Sequence, residues 1–125
     1  MKRSVKSSRP TGGDCYRVAH ELALSVATLT DEVRYLPSTV RLCHGFPTGQ
    51  GPIKGIVHGH AWVEIQDYFK GEWWVIDRSN KKNILMPRET YYAIGKIEPA
   101  TVDKYTKEDA LRMLLAYRHC GPWED

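Results

Sequence analysis

The sequence predicts a small α+β fold in which a cysteine-bearing helix packs on an antiparallel sheet. Three observations carry it. Val18, Leu22 and Val26, with Ala19, Ala23 and Ala27, recur at helical spacing just after Cys15. Residues 56–66 alternate in character, and Trp73 to Arg78 returns after a polar turn, which reads as a hairpin. Thr106, with Asp109 three residues on as its capping partner, opens a final helix through Leu111, Leu114, Leu115 and Arg118, stopped by Gly121-Pro122.

In chain order, residues 1–11 form a basic polar arm (Lys2, Arg3, Lys6, Arg9) and 12–125 one domain. Thr11-Gly12-Gly13 supplies a turn and Asp14 an N-cap, so Cys15 falls in the first helical turn. Free N–H groups and the positive end of the helix dipole favour a thiolate there. The helix fades over 28–31, and 30–37 connects it to a strand from Val40 to Phe46, ended by Pro47. The loop 48–52 is rich in glycine and suited to face a substrate. Along the next strand His58, His60, Trp62 and Glu64 share one face, with Val57, Ala61, Val63 and Ile65 on the other. Asp67 to Gly71 turns the chain. Trp73, Val75 and Asp77 then share a face, with Trp74 and Ile76 opposite. A register that sets His60 across from Asp77 centres between Tyr68 and Phe69, inside that turn, and a slip by two would leave the pair diagonal. Ile84 to Met86 reads as a short strand, residues 89–93 follow Pro87-Arg88, and 96–105 is irregular or briefly extended.

A chain of 125 residues is one domain's worth and can bury a core without staples. Cys15, Cys43 and Cys120 leave at least one thiol unpaired, and no CxxC occurs, which points to a reducing compartment. The basic amino terminus is not followed by an apolar segment, and no run reaches membrane-spanning length. A cytoplasmic location without a membrane role is therefore expected. Of the net charge of +3, much sits in the arm, which is expected to be disordered. Such an arm gives at most weak attraction to nucleic acid or an acidic partner. Zinc-finger spacing, an RNP-type aromatic strand and a basic helical stripe are all missing, so nucleic-acid binding is not expected.

The order Cys15, His60, Asp77 supplies a complete nucleophilic set: a thiol that attacks as thiolate, an imidazole that exchanges its proton near neutral pH, and a carboxylate that orients the imidazole. The segments GGDCYRVAHELA, HAWVEI and WWVIDRS resemble the transglutaminase-like superfamily of papain-like thiol enzymes, over Gly12 to Ser79. The resemblance implies a small papain-like core with Cys15 as nucleophile, His60 as general base and Asp77 as orienter. Ser79 stands where members often carry Thr or Ser after the aspartate. The implied function is a thiol-dependent amide hydrolase or acyl transferase (peptidase, deamidase or amidase) acting through a Cys15 thioester on a peptide or protein, with no metal or organic cofactor. Trp62, Trp73 and His58 share the His60 face and are expected to bind substrate. Larger members place an oxyanion-hole side chain before the cysteine; no such donor is evident here.

Three other readings compete for these residues. A metal site would use His58 and His60 with Cys43 or His44, but adjacent strand residues face opposite ways, so only one of the latter pair can join. A papain-like peptidase directed at peptidoglycan or a conjugated protein would use the same cysteine and histidine. A non-catalytic binding domain would keep the fold alone. Cys43 and Cys120 read as structural, and the oligomeric state leaves no mark.

Overall fold

Strands rich in Val, Ile and Trp that alternate in facing build the centre of this protein, described here from a computed structural model covering residues 14–25, 39–49 and 54–123. The basic arm, the Gly12-Gly13 turn, the expected helix end and connection over 26–38, and the loop residues 50–53 lie outside the described residues. The elements are α1 (Cys15–Ser25), β1 (Arg41–Gly45), β2 (His60–Gln66), β3 (Trp73–Asp77), β4 (Ile84–Pro87), α2 (Arg88–Gly95), β5 (Asp103–Tyr105) and α3 (Lys107–Tyr117). The strands form one sheet in the order β4-β3-β2-β1-β5, with every neighbouring pair antiparallel. The fold is thus α+β, and the cysteine-bearing helix packs on an antiparallel sheet.

Helices cover the sheet from both sides, which explains why β2 is buried from His60 to Ile65 rather than half exposed. Ala61, Val63 and Ile65 meet Ala19 and Ala23 of α1 and Ala110 of α3, together with Leu42, Ile76 and Trp123. The alanines let α1 lie close to the strands, and His20 of α1 clamps the two helices by donating Nε2–H to the Ala110 carbonyl (2.8 Å). On the opposite face Cys43, Trp62 and Val75 pack under Tyr92 of α2 and Ile97.

Two details of the predicted layout change. The β2–β3 pairs are Val63 with Ile76, Glu64 with Val75, Ile65 with Trp74 and Gln66 with Trp73. Continuing this ladder one step puts Asp77 level with Trp62, two residues from the position predicted. Turn chemistry is the reason. Asp67 N–H bonds the Glu72 carbonyl (2.7 Å), Asp67 Oδ2 accepts from Lys70 N–H (2.9 Å), and Gly71 takes a left-handed φ of 74°, so the hairpin closes between Asp67 and Glu72. The final helix also turns differently about its axis: Ala110 is buried, whereas Leu111 and Leu115 are exposed. Thr106 caps it as predicted, its hydroxyl accepting from Asp109 N–H (3.1 Å). The helix stops at the left-handed Arg118, ahead of Gly121-Pro122.

Candidate active site

The start of α1 and the ends of β2 and β3 converge at one end of the sheet. The Asp14 carbonyl accepts from Val18 N–H (2.9 Å), beginning the helix, while Asp14 Oδ1 accepts from Asn80 N–H (3.2 Å). This second bond ties the first turn of α1 to the short helical turn Ser79–Lys81 that follows Asp77. Cys15 is thereby held beside the histidine and carboxylate that the sequence singled out.

His60 Nε2 donates to Asp77 Oδ2 at 2.9 Å, although the register leaves the two residues diagonal; such neighbours remain within side-chain reach. Cys15 lies close enough to the same imidazole to help raise its pKa. Because Nε2 is committed to Asp77, Nδ1 is the ring nitrogen left for the sulfur. The three side chains are closely covered, at 6%, 4% and 2% exposure for Cys15, His60 and Asp77. Behind them the Trp62 indole stacks on the His60 ring, with centroids 6.1 Å apart and planes 27° apart.

Asp77 is saturated with donors. Besides His60, it accepts from Ser79 N–H (3.1 Å) and Ser79 Oγ (2.7 Å) on Oδ1, and from the Tyr91 hydroxyl (2.8 Å) on Oδ2. Burial alone would raise its pKa, but the bonds from His60, Ser79 and Tyr91 outweigh that and hold it down to about 2. For His60 burial acts to lower the pKa, and the hydrogen bond to Asp77, with Cys15 acting in the same direction, overcomes it, pushing it up to about 9. An imidazolium facing a carboxylate is the favoured state near neutral pH. Burial and the neighbouring Asp77 charge push the Tyr91 phenol far above its ordinary range, so it stays a donor.

A second buried carboxylate lies further along the same face. Glu64 is fully buried and accepts from Trp62 Nε1–H (3.0 Å), the Tyr92 hydroxyl, Arg88 Nη1 (3.4 Å) and Lys104 Nζ (3.3 Å). Burial acts to raise its pKa, but Tyr92, Trp62 and Lys104 pull it below the ordinary value. Successive tyrosines on α2 thus serve successive carboxylates: Tyr91 holds Asp77, and Tyr92 holds Glu64. Neither tyrosine was singled out in the sequence, where 89–93 had no assigned element. The available signal was a pair of hydroxyl-bearing aromatics shortly after Pro87.

The expected substrate-binding residues divide. His58 lies beside the site, its ring 5.8 Å from that of His60. Trp62 is a correction: it has no exposed surface, and its N–H is committed to Glu64, so it supports His60 from within. Trp73 is a second correction. It pairs with Gln66 at the far end of the hairpin, with Arg88 Cζ 5.2 Å and Lys104 Nζ 6.0 Å from its ring centre. A groove of about 630 Å³ lies on that side, lined by Arg88, Tyr92, Ile97 and Lys104, and Cys15 does not border it.

The other thiols sit in different surroundings. Cys43 is fully buried, and burial together with the Glu64 carboxylate pushes its pKa well up. Burial also raises that of Cys120. Among the described residues no three His, Cys, Asp or Glu side chains are grouped to hold a metal ion, and no helix is long and apolar enough to cross a membrane. Compared with known proteins, the chain has no match to a family model, a curated protein or a solved structure.

Proposed function

We propose that this chain is a thiol-dependent amide hydrolase or acyl transferase with a small papain-like, transglutaminase-like core, acting on a peptide or protein amide. The observation that carries the reading is the convergence of Cys15 and Asp77 on one buried imidazole, with Cys15 in the first turn of a helix. Free N–H groups at a helix start favour negative charge on both a sulfur and a developing oxyanion.

In the proposed reaction the Cys15 thiolate attacks the amide carbonyl carbon, and the backbone N–H of Cys15 stabilises the oxyanion. The carbon–nitrogen bond then breaks, the His60 imidazolium gives its proton to the departing amine, and a thioester remains on Cys15. Water, or an acceptor amine, adds to the thioester as His60 takes up its proton. Collapse releases the acid or the new amide together with the Cys15 sulfur. Asp77 keeps the imidazole in one orientation throughout, and Ser79 and Tyr91 keep Asp77 in place.

Site-resolved alkylation tests this. Limiting iodoacetamide across acid to mildly alkaline pH, followed by peptide mass spectrometry, is expected to label Cys15 selectively, with the acid-side labelling lost in His60→Ala. Cys43 is expected to stay protected by burial. Reaction of Cys15 at the rate of an ordinary thiol, indifferent to His60, would remove the catalytic reading in favour of a binding domain.

A further inference from the structure

Outward from His60 the β1–β2 ladder continues as a two-stranded arm. Gly45 faces His60, and Thr48 faces Val57 in the same register. Bonds from His58 N–H to the Pro47 carbonyl (3.1 Å) and from Gly49 N–H to the Ile56 carbonyl (2.6 Å) hold the arm together, and Thr48 N–H anchors it to the Gly95 carbonyl at the end of α2 (2.6 Å). This is built structure leading directly to the candidate site.

Strand alternation sorts the side chains of this arm between the two faces of the sheet. His60 and His58 point to the α2 face, so Gly59 and Val57, with Phe46 across from Gly59, lie on the α1 face. A close approach supports the assignment: a Cβ on Gly59 would come within 2.7 Å of the hydroxyl of Tyr16, the residue next to Cys15. Phe46 and Val57 are diagonal neighbours on this face, yet they are 59% and 63% exposed. Scattered exposed apolar residues need no explanation, but two adjoining ones flanking Gly59, which abuts Tyr16 of the cysteine-bearing helix, offer a place where an apolar group can dock. The β2–β3 ladder begins at Val63–Ile76, so among the described residues the main chain of 57–59 has no strand neighbour on the β3 side. Among the described residues that edge faces no strand, and on it the Gly59 carbonyl already accepts from His58 Nδ1 (3.1 Å), which leaves its second lone pair and the other main-chain groups for an extended segment.

We propose that this arm selects the acyl side of the substrate: an extended peptide pairs along residues 57–59 and sets a bulky apolar side chain, next to the attacked carbonyl, on Phe46 and Val57. The inference rests on the amide chemistry proposed above and names its substrate class. The open edge supplies main-chain bonds and directs the peptide carbonyl toward Cys15. The apolar pair supplies the selection among side chains.

The test compares short peptidyl vinyl sulfones bearing Leu, Phe, Ser or Asp at the residue that carries the electrophile, with iodoacetamide as a reference that makes no side-chain contact. Second-order rates of Cys15 labelling are expected to favour Leu and Phe by about tenfold or more, a scale typical of apolar pockets. Val57→Asp and, separately, Phe46→Asp should erase that preference while leaving the iodoacetamide rate unchanged. Both positions are exposed, so neither change removes core packing. Equal rates for the four peptides, or a preference that survives both substitutions, would overturn the proposal while His60-dependent iodoacetamide labelling still stood. Loss of that labelling in the unsubstituted protein would instead overturn the amide chemistry, and this inference with it.

Discussion

His60 carries its charge against the penalty of burial, and the partner that makes this possible is identifiable. After desolvation, Asp77 is the strongest influence on the imidazole, through both its hydrogen bond and its charge, with Cys15 contributing in the same direction. Asp77→Asn keeps the shape and the burial but removes the charge, so burial then dominates. The His60 pKa is expected to fall from about 9 to its ordinary 6.5 or lower, read by NMR titration of the ring carbons. A value that stays near 9 would mean that Cys15 alone holds the proton. Tyr91→Phe deletes one of four donors to Asp77 and leaves the two from Ser79 and the one from His60. Its effect on Cys15 alkylation should be smaller than that of Asp77→Asn, because orientation is weakened rather than charge lost. At this scale the sequence was informative about chemistry: thiol, imidazole and carboxylate were all named from their local settings. It was silent on Tyr91, because a phenol that reaches a carboxylate across two elements leaves no local pattern.

The final helix shows how capping and amphipathicity separate. Thr106 satisfies a free N–H at the start of α3, whereas Leu115 is 69% exposed. Thr106→Ala should cost about 1 kcal/mol of stability in urea unfolding, and Leu115→Ala less than about 0.5 kcal/mol. The cap was legible in the sequence because it needs only two residues three apart. The buried face was not, since leucines at 111, 114 and 115 offered a plausible stripe while packing against α1 chose the smaller Ala110, which allows close approach and receives His20 on its carbonyl. The hairpin teaches the same lesson. Alternation placed His60, Trp62, Glu64, Val75 and Asp77 on one face correctly, but alternation repeats every second residue and so cannot distinguish a register from one slipped by two. The Asp67–Glu72 closure made that choice, and diagonal reach preserved the His60–Asp77 bond. Trp62 and Trp73, placed by the same facing argument, went astray as substrate-binding residues because facing says nothing about what covers a face: α2 and the Glu64 donors do.

Across the whole molecule, three buried groups give stability a dome-shaped dependence on pH. The folded pKa of His60 lies above the unfolded 6.5, so its contribution is fully present below 6.5 and is lost as pH rises toward about 9. Asp77 lies below its unfolded 3.8, so its contribution is present above 3.8 and is lost as pH falls toward about 2. His44 is opposite in sense to His60. It is buried among Tyr16, Tyr105 and Trp123, its Nε2 has no hydrogen-bond partner, and burial with the nearby His20 lowers its pKa to about 3. The folded state therefore resists protonating His44, and stability should fall by about 1.4 kcal/mol per pH unit as pH drops below 6.5 toward 3. The maximum is expected near pH 6.5, where the His44 and His60 slopes meet. His44→Leu removes the titration and also the unpaired nitrogen, whose burial costs about 1–3 kcal/mol. Urea unfolding near pH 6.5 should then show stability equal to or above that of the unsubstituted protein, and near pH 4 the gap should widen in favour of the variant. An acid limb of the same slope in His44→Leu would place the acid sensitivity elsewhere in the molecule, with the carboxylates Asp77 and Glu64 as the groups to replace next, since both are held in charged form by bonds that protonation breaks.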